Sequence, residues 1–215
     1  MSAMPDAGTL DARPFAEPAG AGVSAGRHTV GPNAIIQTRA ALDQIAGAGA
    51  RQAILAAAGL ASLSERDPDG MVEADIVNAL NGEIAARLDA ATAAAVMERA
   101  GALTGDYILA NRIPGAAKRL LALLPAPLAR RMLIRAIAGN AWTFAGQAQI
   151  DTGADFIAIN ANPLCLGRSG FSSCIWHVAV FRRLFTALVD PAMTIHETEC
   201  VGHGGEACRF GIVKA

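Results

Sequence analysis

An α+β fold follows from three features of this 215-residue chain. Apolar residues recur at helical spacing through about residue 137. Beyond that point the texture changes to short alternating stretches separated by Gly and Asp turns. Between two such pairs lies one apolar helical stretch that starts near Cys174, so the order is hairpin, helix, hairpin. The expectation is an N-terminal helical half packed on a small antiparallel sheet.

Residues 1–28 are rich in Ala, Gly and Pro with scattered acids, show no apolar period, and read as a disordered tail. Gly20-Ala21-Gly22 follows no strand and opens no helix, so it is not a nucleotide loop. The helical region spans 29–137. Pro32 suits a first helical turn, and Ile35, Ile36, Leu42 and Ile45 follow on one face until Gly47 and Gly49. A second short helix covers Arg51 to Leu60. Asp67-Pro68-Asp69-Gly70 is turn chemistry. A third helix runs from Val72 to Leu88, with Glu73, Asp75, Glu83 and Arg87 as its polar face. Asp89 caps a long helix through Ala110, and Pro114 ends it. Two further helices bracket Pro125 and Pro127.

Residues 138–215 form the second part of one integrated domain spanning 29–215. Trp142-Thr143-Phe144 and 147–150 read as a strand, Asp151-Thr152-Gly153 as a turn, and Phe156 to Ile159 as the return. Pro163 to Gly170 is a loop. Ser172 or Ser173 caps a helix to about Asp190, with Cys174, His177, Phe181, Leu184 and Leu188 on one face. Met193 to Cys200 alternates as a strand, and Ala207 to Val213 returns after a glycine-rich turn.

Apolar residues make up 53% of the chain and charged residues only 17%, which suits a helix-rich buried protein. The net charge of −1 carries no electrostatic footprint for nucleic acid, so none is expected as a partner. Lys118, Arg119, Arg130, Arg131 and Arg135 read as solvated helix faces. Four irregularly spaced cysteines do not make a secreted disulfide framework. The N-terminus lacks a basic segment followed by an apolar core, and no run of eighteen apolar residues occurs. A cytoplasmic protein working near a membrane is the expectation.

Chemistry concentrates near the C-terminus. Cys200 and Cys208 flank Val201-Gly202-His203-Gly204-Gly205, Glu197 precedes Cys200 by three residues, and Cys174 comes from the upstream helix. Thiolates plus one carboxylate make a closed tetrahedral site for a structural Zn²⁺. His196, His203 and Glu199 compete for the place of Glu197. The odd spacing puts Glu197 and Cys200 on opposite faces of an ideal strand, so the assignment requires a bulge. Cys165 falls outside the pattern and reads as a free buried thiol or a pocket wall. Aromatics are only 5% of the chain and cluster in this half. Tyr107, Trp142, Phe144, Phe156, Trp176 and Phe181, with His177, are the expected lining of an apolar pocket for a flat ligand.

Several stretches together carry a resemblance. They are Gly31-Pro32-Asn33-Ala34-Ile35, Asp106-Tyr107-Ile108-Leu109-Ala110-Asn111-Arg112-Ile113-Pro114, Ala141-Trp142-Thr143-Phe144-Ala145-Gly146 and Asn162-Pro163-Leu164-Cys165. The last block is Cys174-Ile175-Trp176-His177, Glu197-Thr198-Glu199-Cys200 and Cys208-Arg209-Phe210. In these the chain resembles the 4-vinyl reductase domain family and, over nearly everything after residue 28, the bacteriochlorophyll biosynthesis proteins built on it. It is also similar to the phenol-sensing domains of certain transcription activators. Those hold zinc on a Cys, a Glu and two further Cys, a spacing like that of Cys174, Glu197, Cys200 and Cys208.

The resemblance implies a protein that binds a tetrapyrrole of the Mg-protoporphyrin or divinyl protochlorophyllide type and delivers it between pathway enzymes. Implied partners are the large subunit of magnesium chelatase and the Mg-protoporphyrin methyltransferase, and a homodimer is the default state. His177 is read as a core histidine, with an axial ligand to the tetrapyrrole magnesium as its alternative. The family name also implies an enzyme that reduces the 8-vinyl (4-vinyl in older numbering) group of a divinyl (proto)chlorophyllide. That step needs two electrons and two protons, and the sequence shows neither a dinucleotide fingerprint in context nor ferredoxin cysteine spacing. A ligand sensor acting through a separate partner is the third reading.

Overall fold

The computed structural model describes residues 28–165 and 174–214. The tail reading of residues 1–27 and the Ser172 or Ser173 cap lie outside the described residues. The expected α+β architecture is what the chain adopts.

Helix α1 (Asn33–Ile45) starts behind Pro32 and buries Ala34, Ile35, Thr38, Ala41 and Leu42, one stripe at helical spacing. Helix α2 (Gly47–Ala57) begins four residues before the expected Arg51. Gly47 makes this abrupt restart by taking φ 86°, which a side chain would resist. Arg51 is thereby buried, its guanidinium 2.9 Å from both Asp43 and Glu65. A two-stranded ribbon, β1 (Thr29–Val30) against β2 (Val72–Glu73), takes the residues expected to open the third helix. Helix α3 (Ala74–Arg87) therefore starts at Ala74, whose N–H donates to the carbonyl of His28.

Helix α4 (Ala90–Asn111) opens as expected on Asp89, whose carboxylate accepts from the N–H groups of Ala91 and Thr92. The Thr92 hydroxyl, then these backbone donors, hold the Asp89 carboxyl below its usual range. Helices α5 (Gly115–Leu123) and α6 (Ala126–Gly139) follow on either side of Pro125. Trp142–Ala145 is a helical turn, α7, and not a strand. The N–H groups of Phe144 and Ala145 donate to the Ala141 carbonyl, and Thr143 returns its carbonyl to Gly31. Gly146, at φ 57°, then releases the chain.

The sheet comprises β3 (Ile150–Thr152), β4 (Phe156–Asn160), β5 (Met193–Glu199) and β6 (Ala207–Lys214), in the order β3-β4-β6-β5, all antiparallel. Its first turn lies at residues 153–155, two residues later than expected, because Asp151 and Thr152 pair with Ala158 and Ile157. Helix α8 (Cys174–Leu188) crosses one face and is packed by α4. Phe181, Phe185, Phe210, Ile157 and Ile159 fill the space between helix and sheet. Gly101 and Gly105, four apart on α4, set the distance to α8. A Cβ on Gly101 would fall 2.4 Å from the Trp176 carbonyl oxygen, and one on Gly105 2.7 Å from the Arg183 Cβ. Exposed pairs Glu98–Arg182 and Asp106–Arg183 flank this seam. Such pairs add little beyond the packing.

Candidate metal centre and ligand cavity

Four cysteines converge where α8 meets the last hairpin. Cys174 is the first residue of α8, Cys200 follows β5, and Cys208 lies on β6. The fourth is Cys165, on the turn after β4. Its approach is built locally: the Cys165 N–H donates to the Asn162 carbonyl, the Leu164 N–H to the Asn162 side chain, and Asn78 Nδ2 holds the Pro163 carbonyl at 2.8 Å. All four are buried, and their sulfurs lie within 4.8 Å of one another. Cys165 Sγ is 3.4 Å from Cys174 and 3.6 Å from Cys200, and Cys174 is 3.7 Å from Cys200. These are too long for disulfides. Zn–S bonds of about 2.3 Å in a tetrahedron separate sulfurs by about 3.8 Å. The donor set therefore fits a soft or borderline divalent ion. Cys165, read from sequence as standing apart from the pattern, is in contact with it.

Three of the four expected donors are thus together, and the compact set is completed by a sulfur. Glu197 is half-buried on β5, opposite the core residue Phe210. The bulge that the spacing required is present. Glu197 pairs with Phe210 and Glu199 with Arg209, leaving Thr198 as the extra residue. Glu197 and Cys200 consequently both turn to the sheet face that carries Phe210 and Cys208, while Glu199 turns outward. The competing donors are engaged or exposed. Glu199 Oε1 accepts the N–H groups of Glu206 and Ala207 at 2.8 and 3.2 Å, closing the turn. His196 is exposed and bonded to Thr194, and His203 is exposed on the turn.

A hydrogen bond with Cys165, then one with Cys208 and burial, push the Cys174 thiol far above its usual range. Contact with Cys165 and burial push Cys208 up to about 12, against a lowering contact with Cys174. Without a cation these thiols keep their protons, so a metal must displace them.

The expected aromatic lining divides in two. His177 is fully buried, with Trp176 at 5.0 Å, Phe210 at 5.6 Å, Phe144 at 6.0 Å and Phe181 at 6.2 Å between ring centroids. This is a close-packed cluster and not an open slot. Phe210 is not among the expected residues, although alternation along Cys208-Arg209-Phe210 points it inward with Cys208. Tyr107, Trp142 and Phe156 lie apart from the cluster. Tyr107 sits under Arg112, Phe156 under Arg209, and Trp142 is exposed. A cavity of about 10 Å³ does lie beside Trp176, with Thr38, Val77, Asn81, Met97 and Leu164 on its walls. Trp176 Nε1 and Asn81 Oδ1 are buried there without a hydrogen-bond partner among the described residues. The space suits one water and is far below the roughly 300–1,000 Å³ of organic-ligand sites.

Fold and centre together define a protein of the 4-vinyl reductase domain class: that family's model matches residues 155–214, the stretch holding all four cysteines and Glu197. The likeness extends well beyond that domain. A bacteriochlorophyll synthase 23 kDa chain from Cereibacter sphaeroides is 40% identical over 190 residues, covering 86% of this chain and 91% of its own. A chain of the same description from Rhodobacter capsulatus is 39% identical over 186 residues, covering 84% and 85%. The chain belongs to the family of the bacteriochlorophyll synthase 23 kDa chain.

Proposed function

We propose that this protein serves bacteriochlorophyll biosynthesis by holding a magnesium tetrapyrrole intermediate and delivering it between pathway enzymes, on a fold clamped by zinc. The observation that carries the pathway is the 40% identity with a bacteriochlorophyll synthase chain along 86% of the sequence. The four-sulfur cluster supports the clamp. Cys174, Cys200 and Cys208 hold the ion in this reading, and Cys165 is better placed than Glu197 for the fourth position. A closed site of this kind has no free position for substrate, so its contribution is to folding and not to chemistry. The Mg-protoporphyrin or divinyl protochlorophyllide ring is much larger than the cavity beside Trp176. Binding therefore requires α1 and α8 to part, or uses an outer apolar face. Hand-over partners in this reading are the large subunit of magnesium chelatase and the Mg-protoporphyrin methyltransferase.

The test is spectroscopic. Purified protein is mixed with Mg-protoporphyrin or divinyl protochlorophyllide, and spectra are recorded with and without NADPH. A shifted Soret band without turnover supports carriage. Conversion of vinyl to ethyl by the purified chain would establish a reductase instead, and unaltered spectra would remove the pigment from the account.

A further inference from the structure

Helices α5 and α6 form a hairpin whose tip is apolar and exposed. Leu123 is 84% exposed, Leu120 49%, Leu128 47% and Met132 37%. No charged residue occurs from Leu120 to Ala129. Just behind this tip stand Lys118 and Arg119 on one helix, and Arg130, Arg131 and Arg135 on the other. Between Asp106 and Asp151 the chain holds six cations and no acid, which leaves the remainder of a −1 chain at −7. Among the described residues none of these six pairs with a carboxylate. Leucines exposed on a short hairpin ringed by unpaired cations differ from the solvated helix faces that the sequence suggested.

We propose that the α5–α6 hairpin docks on an anionic lipid surface, its tip leucines entering the acyl boundary while the cations meet headgroup phosphates. Apolar insertion and attraction to anionic lipid add in such elements. The turn is suited to a medium without water. Pro125 and Pro127 have no N–H to satisfy, the Leu124 N–H donates to the Leu121 carbonyl, and those of Leu128 and Ala129 reach the Pro125 carbonyl. The surface is a projecting tip and not a groove, which disfavours a peptide occupant. A second copy would bring like charges together. No described helix is long and apolar enough to cross a membrane, so the contact is a surface one. This inference is independent of the pigment.

The test is flotation of the full chain with phosphatidylglycerol-containing vesicles and with pure phosphatidylcholine vesicles, without any tetrapyrrole. Binding should appear with the anionic vesicles and fall with added salt. The double variant L123E/L128E should lose binding about tenfold, and R119Q and R131Q about fivefold each. I45E, which charges an exposed apolar residue on α1, should change nothing. Circular dichroism checks that the exposed-site variants stay folded. No flotation with anionic vesicles, equal flotation with neutral ones, or full binding by L123E/L128E would overturn the proposal. So would self-association in sedimentation velocity that L123E abolishes, since that would assign the tip to a second copy.

Discussion

The β5–β6 and α5–α6 hairpins solve opposite problems. Each reverses the chain in a short turn and each carries chemically distinctive residues. The β-hairpin directs Cys200, Cys208, Phe210 and Ile212 inward, where α8 covers them, and it ties its turn to Glu199. The α-hairpin leaves Leu120, Leu123 and Leu128 outside. The difference shows that apolar content alone does not say where a segment goes. A strand with a partner on one face has a place to bury its side chains, and a hairpin at the end of the helical half has one only for the stripe facing α8. What remains exposed is then available for a partner.

Predicted effects follow this contrast from its tightly held side to its loosely held parts. Cys208→Ser should abolish the bound zinc and give the largest fall in Tm, measured by elemental analysis and calorimetry on one preparation; a full zinc complement in the variant would refute the cluster. Cys165→Ser should then cost more than 100-fold in zinc affinity, while Glu197→Gln should cost about 10–100-fold, as for a group supporting the ligands. Competition with a chromogenic chelator measures both, and the reverse order would give the fourth position to Glu197. In the chelated protein the Cys208 thiol has its folded value raised to about 12. The stability that this group contributes is present below its unfolded value near about 8.5 and is lost as pH rises towards the folded one. Melts of the metal-free chain should fall steadily across that alkaline window, and a flat profile would contradict the burial of protonated thiols. Gly101→Val should cost about 1–3 kcal/mol by forcing α4 off α8, read from urea unfolding. The smallest effect belongs to Asp89→Ala, about 1 kcal/mol from the lost cap of α4; an unchanged midpoint would show that packing on α8 alone holds that helix.

The helices were legible because their ends are local chemistry. Pro32, Asp89, Pro114 and Pro125 act through their own backbone or side chains, whatever lies around them. The hairpin-helix-hairpin order was equally plain from alternation and turns. Trp142–Ala145 misled because three bulky residues favour a strand, while the helical turn is fixed from outside, by Gly31 and by Phe144 packing on His177 and Phe181. Cys165 escaped for a related reason. Its nine-residue distance from Cys174 says nothing about a loop doubling back, and the Asn78 bond to Pro163 that steers it spans 85 residues. The block Asn162-Pro163-Leu164-Cys165 was the available hint, since Asn followed by Pro marks a turn. The clustering of aromatics is visible in the sequence, but whether rings enclose space or fill it depends on packing that no spacing encodes.

Thr198, the surplus residue of β5, makes this strand sensitive to length more than to composition. Removing it would restore a regular zigzag and rotate everything before it by half a turn relative to Cys200. Glu197 would then look at solvent, and Ile195 and Met193 would follow it out of the interior. An in-frame deletion of this one exposed threonine should therefore do more harm than replacing it with any other amino acid.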